Sequence, residues 1–426
     1  MSRVSDIISR LRQSQLFSDS LWALLGSAIG KGLALLSGIV VARLLGSETY
    51  GEYGTIRNTL MMIAIFSTMG LGYSATKYIA ESRAANNNGR IVATHRIATI
   101  ITKIVSGFIA ILLVIAAKDV AIWIDAPHLA GALRLSAIAV VFNAVNTTQT
   151  GELAGFGAYK ALAKNSAIAG ITTFFTSIIL TYYQGFNGAI IALILSLFVN
   201  VVLNNRSIKR CIGESNQKGD IDRQYTKEII KFSIPIALQE SLYAITNWFG
   251  IFMLIKLSNY TELGLYSAAM QWMAVILFIP GALRNVALSH FSAANNDRQR
   301  TNAILRKILL VNFIATFVPF VVIFALSGWI ETIYGGSFEG LQPILNICVF
   351  TAIVSSLSNV LTQEFISQGK NWFLFFSRLL RDVGTLITAY FVITKFSYGA
   401  ISMTSTFLVF QILYLVILSV LYTHRK

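Results

Sequence analysis

The chain has 426 residues, 55% of them apolar and 12% charged. Soluble domains carry about twice that charged fraction, so a water-soluble enzyme is excluded, and missing strand-type alternation excludes an outer-membrane barrel. The formal charge of +15 would suggest nucleic acid on a soluble protein. On a membrane protein it follows from basic loops that orient helices, and no nucleic-acid partner is expected.

The predicted elements begin with an amphipathic segment over residues 1–20. Ile7, Ile8, Leu11 and Leu16, interleaved with Arg3, Arg10 and Arg12, predict a helix lying on the anionic leaflet. The apolar run that follows is too long for the core of a cleaved signal. About twelve apolar blocks then recur, each near the roughly twenty residues a bilayer requires. The first six are Leu21–Leu45, Ile56–Ile79, Ile97–Ala117, Ala130–Leu153, Ser166–Tyr183 and Phe186–Leu203. The second six are Ile229–Leu257, Leu263–Leu288, Ile304–Leu326, Leu341–Ile366, Trp372–Ile393 and Gly399–Tyr422. Pro343 suits a first helical turn, whereas Pro235, Pro280 and Pro319 predict kinks.

The first span runs into Val40–Tyr53, where Gly46 and Gly51 predict a turn closed by Tyr53. The stretch returns at Lys256 and at Gly264-Leu265-Tyr266, an offset of 213, half the chain. Ala84-Ala85-Asn86-Asn87 returns as Ala293-Ala294-Asn295-Asn296, Arg96 as Arg306, and Glu152 and Gly157 as Glu364 and Gly369. Two copies of one membrane unit explain this. The predicted fold is an all-α integral membrane protein with two six-helix repeat lobes, 21–204 and 229–426, around a central cavity. A basic cytoplasmic linker over 205–228 joins them. An even helix number per unit predicts lobes related by an axis along the membrane normal, able to rock.

Lys and Arg crowd one set of connections: Arg83, Arg90 and Arg96; Lys160 and Lys164; Arg206 to Lys227; Arg298 to Lys307; Lys370. The opposite set holds few cations beyond Lys118, Lys256 and Lys395 and carries Glu48, Glu52, Asp119, Asp125, Glu262, Glu331 and Glu339. Both termini are therefore expected in the cytoplasm.

The sequence shows no phosphate-binding glycine loop, metalloprotease motif or nucleophile elbow. No cofactor or metal is expected. His95, His128, His290 and His424 are scattered near span ends, and Cys211 and Cys348 are expected to be reduced and structural.

Ionisable groups inside spans carry the chemistry, because each costs at least about 2.5 kcal/mol at the bilayer centre unless paired or hydrated. Lys31 and Glu240 fall at matching depth in equivalent spans, with Tyr243 and Asn247 on the Glu240 face. Two readings stand: a cation and a carboxylate facing each other across a wet cavity, or a buried salt bridge between lobes. Arg57 and Arg284 either snorkel or line the cavity. Arg381 and Asp382, with Arg378, read as an interfacial pair. Glu152 and Glu364 read as capping contacts with loop arginines. Polar faces at Asn143, Asn146, Thr147, Gln149 and Thr150, and at Ser355, Ser356, Ser358, Asn359, Thr362 and Gln363, suit helix contacts or a hydroxyl-rich ligand. Tyr243, Trp248, Tyr266 and Trp272 suit an interfacial belt or stacking on sugar rings.

Ala42-Arg43-Leu44-Leu45-Gly46 with Tyr50-Gly51-Glu52-Tyr53, Phe232-Ser233-Ile234-Pro235 and Gly264-Leu265-Tyr266-Ser267-Ala268-Ala269 resemble motifs of polysaccharide-exporting flippases. These belong to the multidrug/oligosaccharidyl-lipid/polysaccharide superfamily. The resemblance covers the whole chain. Many members carry an aspartate where Asn247-Trp248 stands here, so that carboxylate's role does not transfer. The resemblance implies a bacterial inner-membrane translocase of an undecaprenyl-pyrophosphate-linked oligosaccharide, such as an O-antigen unit. Its expected partners are that substrate, membrane lipids, a coupling proton or sodium ion, and polysaccharide polymerisation machinery. The anionic pyrophosphate calls for cations such as Lys31, Arg57 and Arg284, and the glycan for a polar cavity. Rivals are a multidrug exporter, which Lys31 argues against, a peptidoglycan-precursor flippase, and a polysaccharide-assembly enzyme.

Overall fold

A computed structural model describes residues 15–213, 222–281, 283, 291, 298–368, 370–396 and 399–423. Arg284, His290, His424, the 293–296 motif copy, residues 1–14 of the amphipathic segment and residues 214–221 of the linker lie outside the described residues.

Every regular element described is helical. The order is α1 (Gln15–Thr68), α2 (Leu71–Ala84), α3 (Asn88–Trp123), α4 (Ala130–Gly155), α5 (Tyr159–Ile212), α6 (Arg223–Leu257), α7 (Tyr260–Ile276), α8 (Arg298–Tyr334), α9 (Leu341–Ser367), α10 (Asn371–Phe396) and α11 (Gly399–Thr423). Seven helices among the described residues are long and apolar enough to cross a bilayer.

Two of the long runs are broken at glycine. Gly46 interrupts α1 at φ 78° and Gly185 interrupts α5 at φ 55°. Both angles lie in the left-handed region that residues with a Cβ avoid. At Gly185 the chain turns back on itself. Asn165 Nδ2 then reaches Asn204 Oδ1 at 2.8 Å, and Thr173 meets Ser196. The expected pair of spans at 166–183 and 186–203 is this hairpin.

Elsewhere the ends move. The second predicted span, 56–79, starts directly after Gly46 and breaks at Met69 and Gly70, which take φ 47° and 70°. The eighth, predicted to reach Leu288, is interrupted by a turn at Leu277 after Ile276 and is helical again at 278–281 and at 283, beside Pro280. The ninth lengthens to Arg298–Tyr334 and continues through Pro319.

The buried and exposed faces are those of a protein in lipid. Along α3, Ile91, Thr94, Ala98, Thr102, Ser106 and Ala110 form a buried line at helical spacing. Ile104, Phe108, Ile111 and Ile115 point outward. Polar and small residues inside, large apolar ones outside, is the arrangement that helix packing in a bilayer favours. In α9, 72% of the most apolar window is buried, against 17% in α8, so α9 is the central helix of its unit.

The chain forms two compact units. One comprises 1–37 with 55–248, the other 38–54 with 249–426. These bounds differ from the lobes drawn from the sequence at two places. The corner around Gly46 counts with the second unit, and α6 up to Trp248 counts with the first.

In the first unit, α2 crosses α4 at glycines. A methyl group added at Gly151 would overlap the backbone of Gly72, and Thr76 Oγ1 donates to Gly151 O at 2.8 Å. Gly30 and Gly170 bring the start of α1 against α5 in the same way. Trp248 Nε1 donates to Thr59 Oγ1 at 3.0 Å, and its ring stacks on Trp123 with centroids 5.1 Å apart.

In the second unit, the α1 limb after Gly46 packs on α7. Gly51 sits against Tyr260 and Gly264, Gly264 against Ser47, and Gly54 against Ser267. Around them Tyr50 Oη donates to Gln271 Oε1 at 3.2 Å. Trp272 Nε1 donates to Tyr334 Oη at 3.1 Å. Trp248 and Trp272 are thus anchors between helices, because each indole N–H finds a hydroxyl partner.

Candidate functional site

The polar faces predicted on the fourth and tenth spans fall on α4 and α9, the inner helices of the two units. In the first unit α4 is also tied to its neighbours by side-chain hydrogen bonds. Asn204 Nδ2 on α5 donates to Asn146 Oδ1 at 2.9 Å, and Asn165 donates to Asn204 and to Ser207. Thr102 on α3 meets Thr148 at 2.9 Å. Thr147 and Thr150 turn their hydroxyls onto their own helix. Most of this face therefore joins helices.

In the second unit the same type of face borders a cavity. It is a small, partly open recess with a cavity volume of about 10 Å³, lined by Pro280, Leu283, Asn312, Ser356, Asn359, Val360 and Gln363. Ser356 Oγ donates to Asn312 Oδ1 at 3.2 Å. Gln363 is buried, and its Nε2 has no partner, although a buried amide normally finds one. Asn359 is exposed. The lining is neutral throughout and offers amide N–H donors, amide oxygens and a hydroxyl. That chemistry suits sugar hydroxyls, which both donate and accept. Gln149, 214 residues earlier, carries a buried Oε1 without a partner in the first unit.

A charged cluster lies on α10 in the second unit. Arg381 stands ten residues into α10, about 15 Å along the helix. Its Nε donates to Asp382 Oδ1 at 2.7 Å and its Nη1 to Gln411 Oε1 at 3.1 Å. Its guanidinium lies 5.0 Å from the Tyr414 ring centroid, and Tyr414 Oη meets Thr362 Oγ1 at 3.3 Å. Both charged side chains are mostly buried. The interfacial reading of Arg381 and Asp382 is corrected: the pair sits mid-helix and knits α9, α10 and α11 together. Arg378 Nε is buried without a partner.

The capping role expected of Glu152 is also corrected. Glu152 Oε2 pairs with His95 Nδ1 at 2.9 Å, so the carboxylate faces α3 rather than a loop arginine. Glu364 is buried and bonds Gln368, one turn on. His95 is accordingly part of the helix-packing interior, not an isolated interfacial group.

Of the predicted site residues, Arg57 is half-buried, about ten residues past Gly46. It stands near the middle of its limb rather than at the outer end, because the helix starts earlier than its apolar run. Asn247 is exposed on α6. Lys31, Glu240 and Tyr243 lie within α1 and α6 by backbone, and their side chains are outside the described part. Arg284 lies outside it altogether. The residues that sequence reasoning passed over are Asn312, Gln411, Tyr414 and the His95–Glu152 pairing.

The helix order defines an all-α membrane protein, and its fold is shared with solved multidrug-exporter structures. An inward-facing multidrug resistance MATE family transporter of the MOP superfamily matches with a TM-score of 0.79. It is 16% identical, over 95% of this chain and all of the other. A MOP superfamily transporter from Pyrococcus furiosus, described as having a binding pocket of reversed polarity, matches at 0.73 with 16% identity, over 98% and 97%. The chain belongs to the polysaccharide biosynthesis protein family, whose model matches residues 40–316. The EPS I polysaccharide export inner membrane protein EpsE of Ralstonia nicotianae is 24% identical over 395 residues, 88% of this chain and 86% of that protein.

Proposed function

We propose that the chain is a flippase that carries a lipid-linked glycan, the repeat unit of a surface polysaccharide such as O antigen, across a bacterial inner membrane by alternating access. Its membership of a polysaccharide family and its transporter fold support the general class. The observation that carries the substrate class is the neutral cavity of Asn312, Ser356, Asn359 and Gln363. A cationic drug would call for carboxylates there. A glycan calls for uncharged donors and acceptors, and the lone Gln363 amide gains a partner when a hydroxyl arrives.

In this reading the lipid tail stays in the bilayer. The pyrophosphate meets Lys31, Arg57 and Arg284, while Glu240, Tyr243 and Asn247 balance the charge and the hydrogen bonding. Both termini lie in the cytoplasm, as the basic connections suggest. A proton or sodium gradient supplies the work, and polymerisation machinery receives the product.

The test is the lipid-linked glycan that accumulates when the gene is absent. Cells lacking it should hold that intermediate on the cytoplasmic leaflet and lose surface polysaccharide. Asn359→Leu with Gln363→Leu should leave a folded protein that restores neither. Normal surface polysaccharide in the absence of this and any substitute flippase would overturn the reading. The charge swap Lys31→Glu with Glu240→Lys separates the two roles of that pair. Rescue of unstable single variants means a bridge. Folded, inactive single variants without rescue mean a substrate site.

A further inference from the structure

Among the described residues of the first unit, the most completely buried ionisable contact is not used by the glycan reading. Glu152 is 0% exposed, and its Oε2 lies 2.9 Å from Nδ1 of His95, which is 22% exposed. The second oxygen, Oε1, is buried without a partner. The same helices supply a buried apolar cluster that includes residues adjacent in sequence or one turn away: Ala75 and Ile79 from α2, Ile91 and Ala98 from α3, Leu153 from α4 and Ile208 from α5.

Other ionisable groups on these helices are directed elsewhere. On α2, Arg83 donates to the Phe156 carbonyl, and Lys77 pairs with Glu81. On α3, Arg90 lies over the Tyr225 ring of α6 and Arg96 is exposed. On α5, Lys160, Arg206, Lys209 and Cys211 are exposed, as are Lys227 and Glu228 on α6. Tyr225 gives its hydroxyl to Thr94. Among the described residues of these stretches, Glu152 meets one titratable partner, His95.

A carboxylate buried this way is stable only while the pair is neutral overall, with one proton shared between imidazole and carboxylate. A net charge of either sign at a buried pair is costly. Water reaches the imidazole of His95 but not Glu152, so proton exchange at the carboxylate is eased when α3 and α4 part. The same two helices are held farther along by Thr102 and Thr148.

We propose that His95 and Glu152 form a proton-binding site of the transport cycle, exchanging one proton with the aqueous phase through the partly exposed imidazole as α3 and α4 separate. On uptake a hydronium ion at the imidazole gives up its proton and becomes water, the proton is held between Nδ1 of His95 and an Oε atom of Glu152, and on release it returns to water through the imidazole. The proposal rests on the chain being a transporter and not on the identity of its cargo.

The first test needs no cargo. Infrared difference spectra of the purified full-length protein are taken between about pH 8 and about pH 5, the range in which histidine pairs exchange protons. Acidification should produce a buried carboxylic-acid band that Glu152→Gln abolishes and His95→Gln shifts in midpoint. A permanent structural bridge gives no such change. If either variant fails to fold, the wild-type spectrum decides, and absence of the band overturns the site.

The second test uses vesicles loaded with a pH-sensitive dye, the purified protein and the lipid fraction from cells lacking the gene. Wild-type translocation should accelerate about tenfold under a proton gradient, equivalent to about 1.4 kcal/mol, with matching proton entry. Glu152→Gln should lose both the acceleration and the proton entry. Proton entry unchanged in Glu152→Gln overturns the proposal. If wild type moves none of the lipid fraction, the glycan reading fails, and the infrared result still decides the proton site.

Discussion

Gly51 and Gly264 face each other where the α1 limb after Gly46 crosses α7. The two are repeat mates, 213 residues apart. A side chain on Gly51 would run into the backbone of Tyr260 and Gly264, and one on Gly264 into the backbone of Ser47. One turn along, Gly54 meets its own repeat mate, Ser267, whose hydroxyl is buried. Small residues at both positions let the two helices touch backbone to backbone.

Gly51→Ala or Gly264→Ala should therefore destabilise the protein by about 1–3 kcal/mol, the cost of overpacking a fixed contact. Gly107 in α3 has open space where its Cβ would stand. Gly107→Ala should be neutral or stabilising by up to about 1 kcal/mol. Melting temperatures of the purified proteins in detergent check all three.

The indole of Trp248 and the hydroxyl of Thr59 form a buried pair. Thr59→Val should cost about 1–3 kcal/mol, because it strands the indole N–H. Trp248→Phe should also remove the near-ultraviolet dichroism of the stack with Trp123. The double variant should cost less than the sum of the singles.

Arg381 and Asp382 predict a larger effect. Removing one partner leaves a mostly buried charge. Arg381→Met should cost about 3–5 kcal/mol, and Arg381→Met with Asp382→Leu should recover part of it. Thermal unfolding of the two variants gives the comparison. Equal stability of single and double variants would contradict it.

Orientation can be read with the native thiols. Cys211 is exposed and Cys348 buried. With cytoplasmic termini, an impermeant thiol reagent should spare Cys211 in intact cells and modify it after lysis. In a chain with Cys211→Ser, Glu48→Cys should react in intact cells, because Glu48 is exposed beside Gly46 and belongs to the acidic connections expected outside. Reaction of Cys211 from outside would invert the topology.

Helix number was legible because apolar blocks and glycines are local signals. Gly46 and Gly185 break helices for the same backbone reason wherever they occur. Helix ends were less legible, since α3 and α8 extend beyond their apolar runs with polar turns. The line Ile91, His95, Ala98, Thr102 has helical spacing and marks the inner face of α3. It could have placed His95 inside. Nothing local pairs His95 with Glu152, 57 residues on, or Arg381 with Gln411, 30 residues on. Such contacts arise from helix packing and carry no periodic signature. Arg57 moved toward mid-helix because the helix begins in polar sequence that the apolar run ignores.

The exchange of segments between the compact units bears on how the protein is made. Synthesis delivers the corner 38–54 long before α7, the element it packs on. Until Gly264 leaves the ribosome, Gly51 has no backbone to lie against. The first unit in turn waits for α6 up to Trp248 before Thr59 receives its indole. A gene cut at its midpoint thus yields two halves that each lack a piece of their own interior. Expressed alone, each should be cleared by proteolysis. Expressed together, they should protect one another, and glycine-to-alanine changes at residue 51 in one half or residue 264 in the other should abolish that protection.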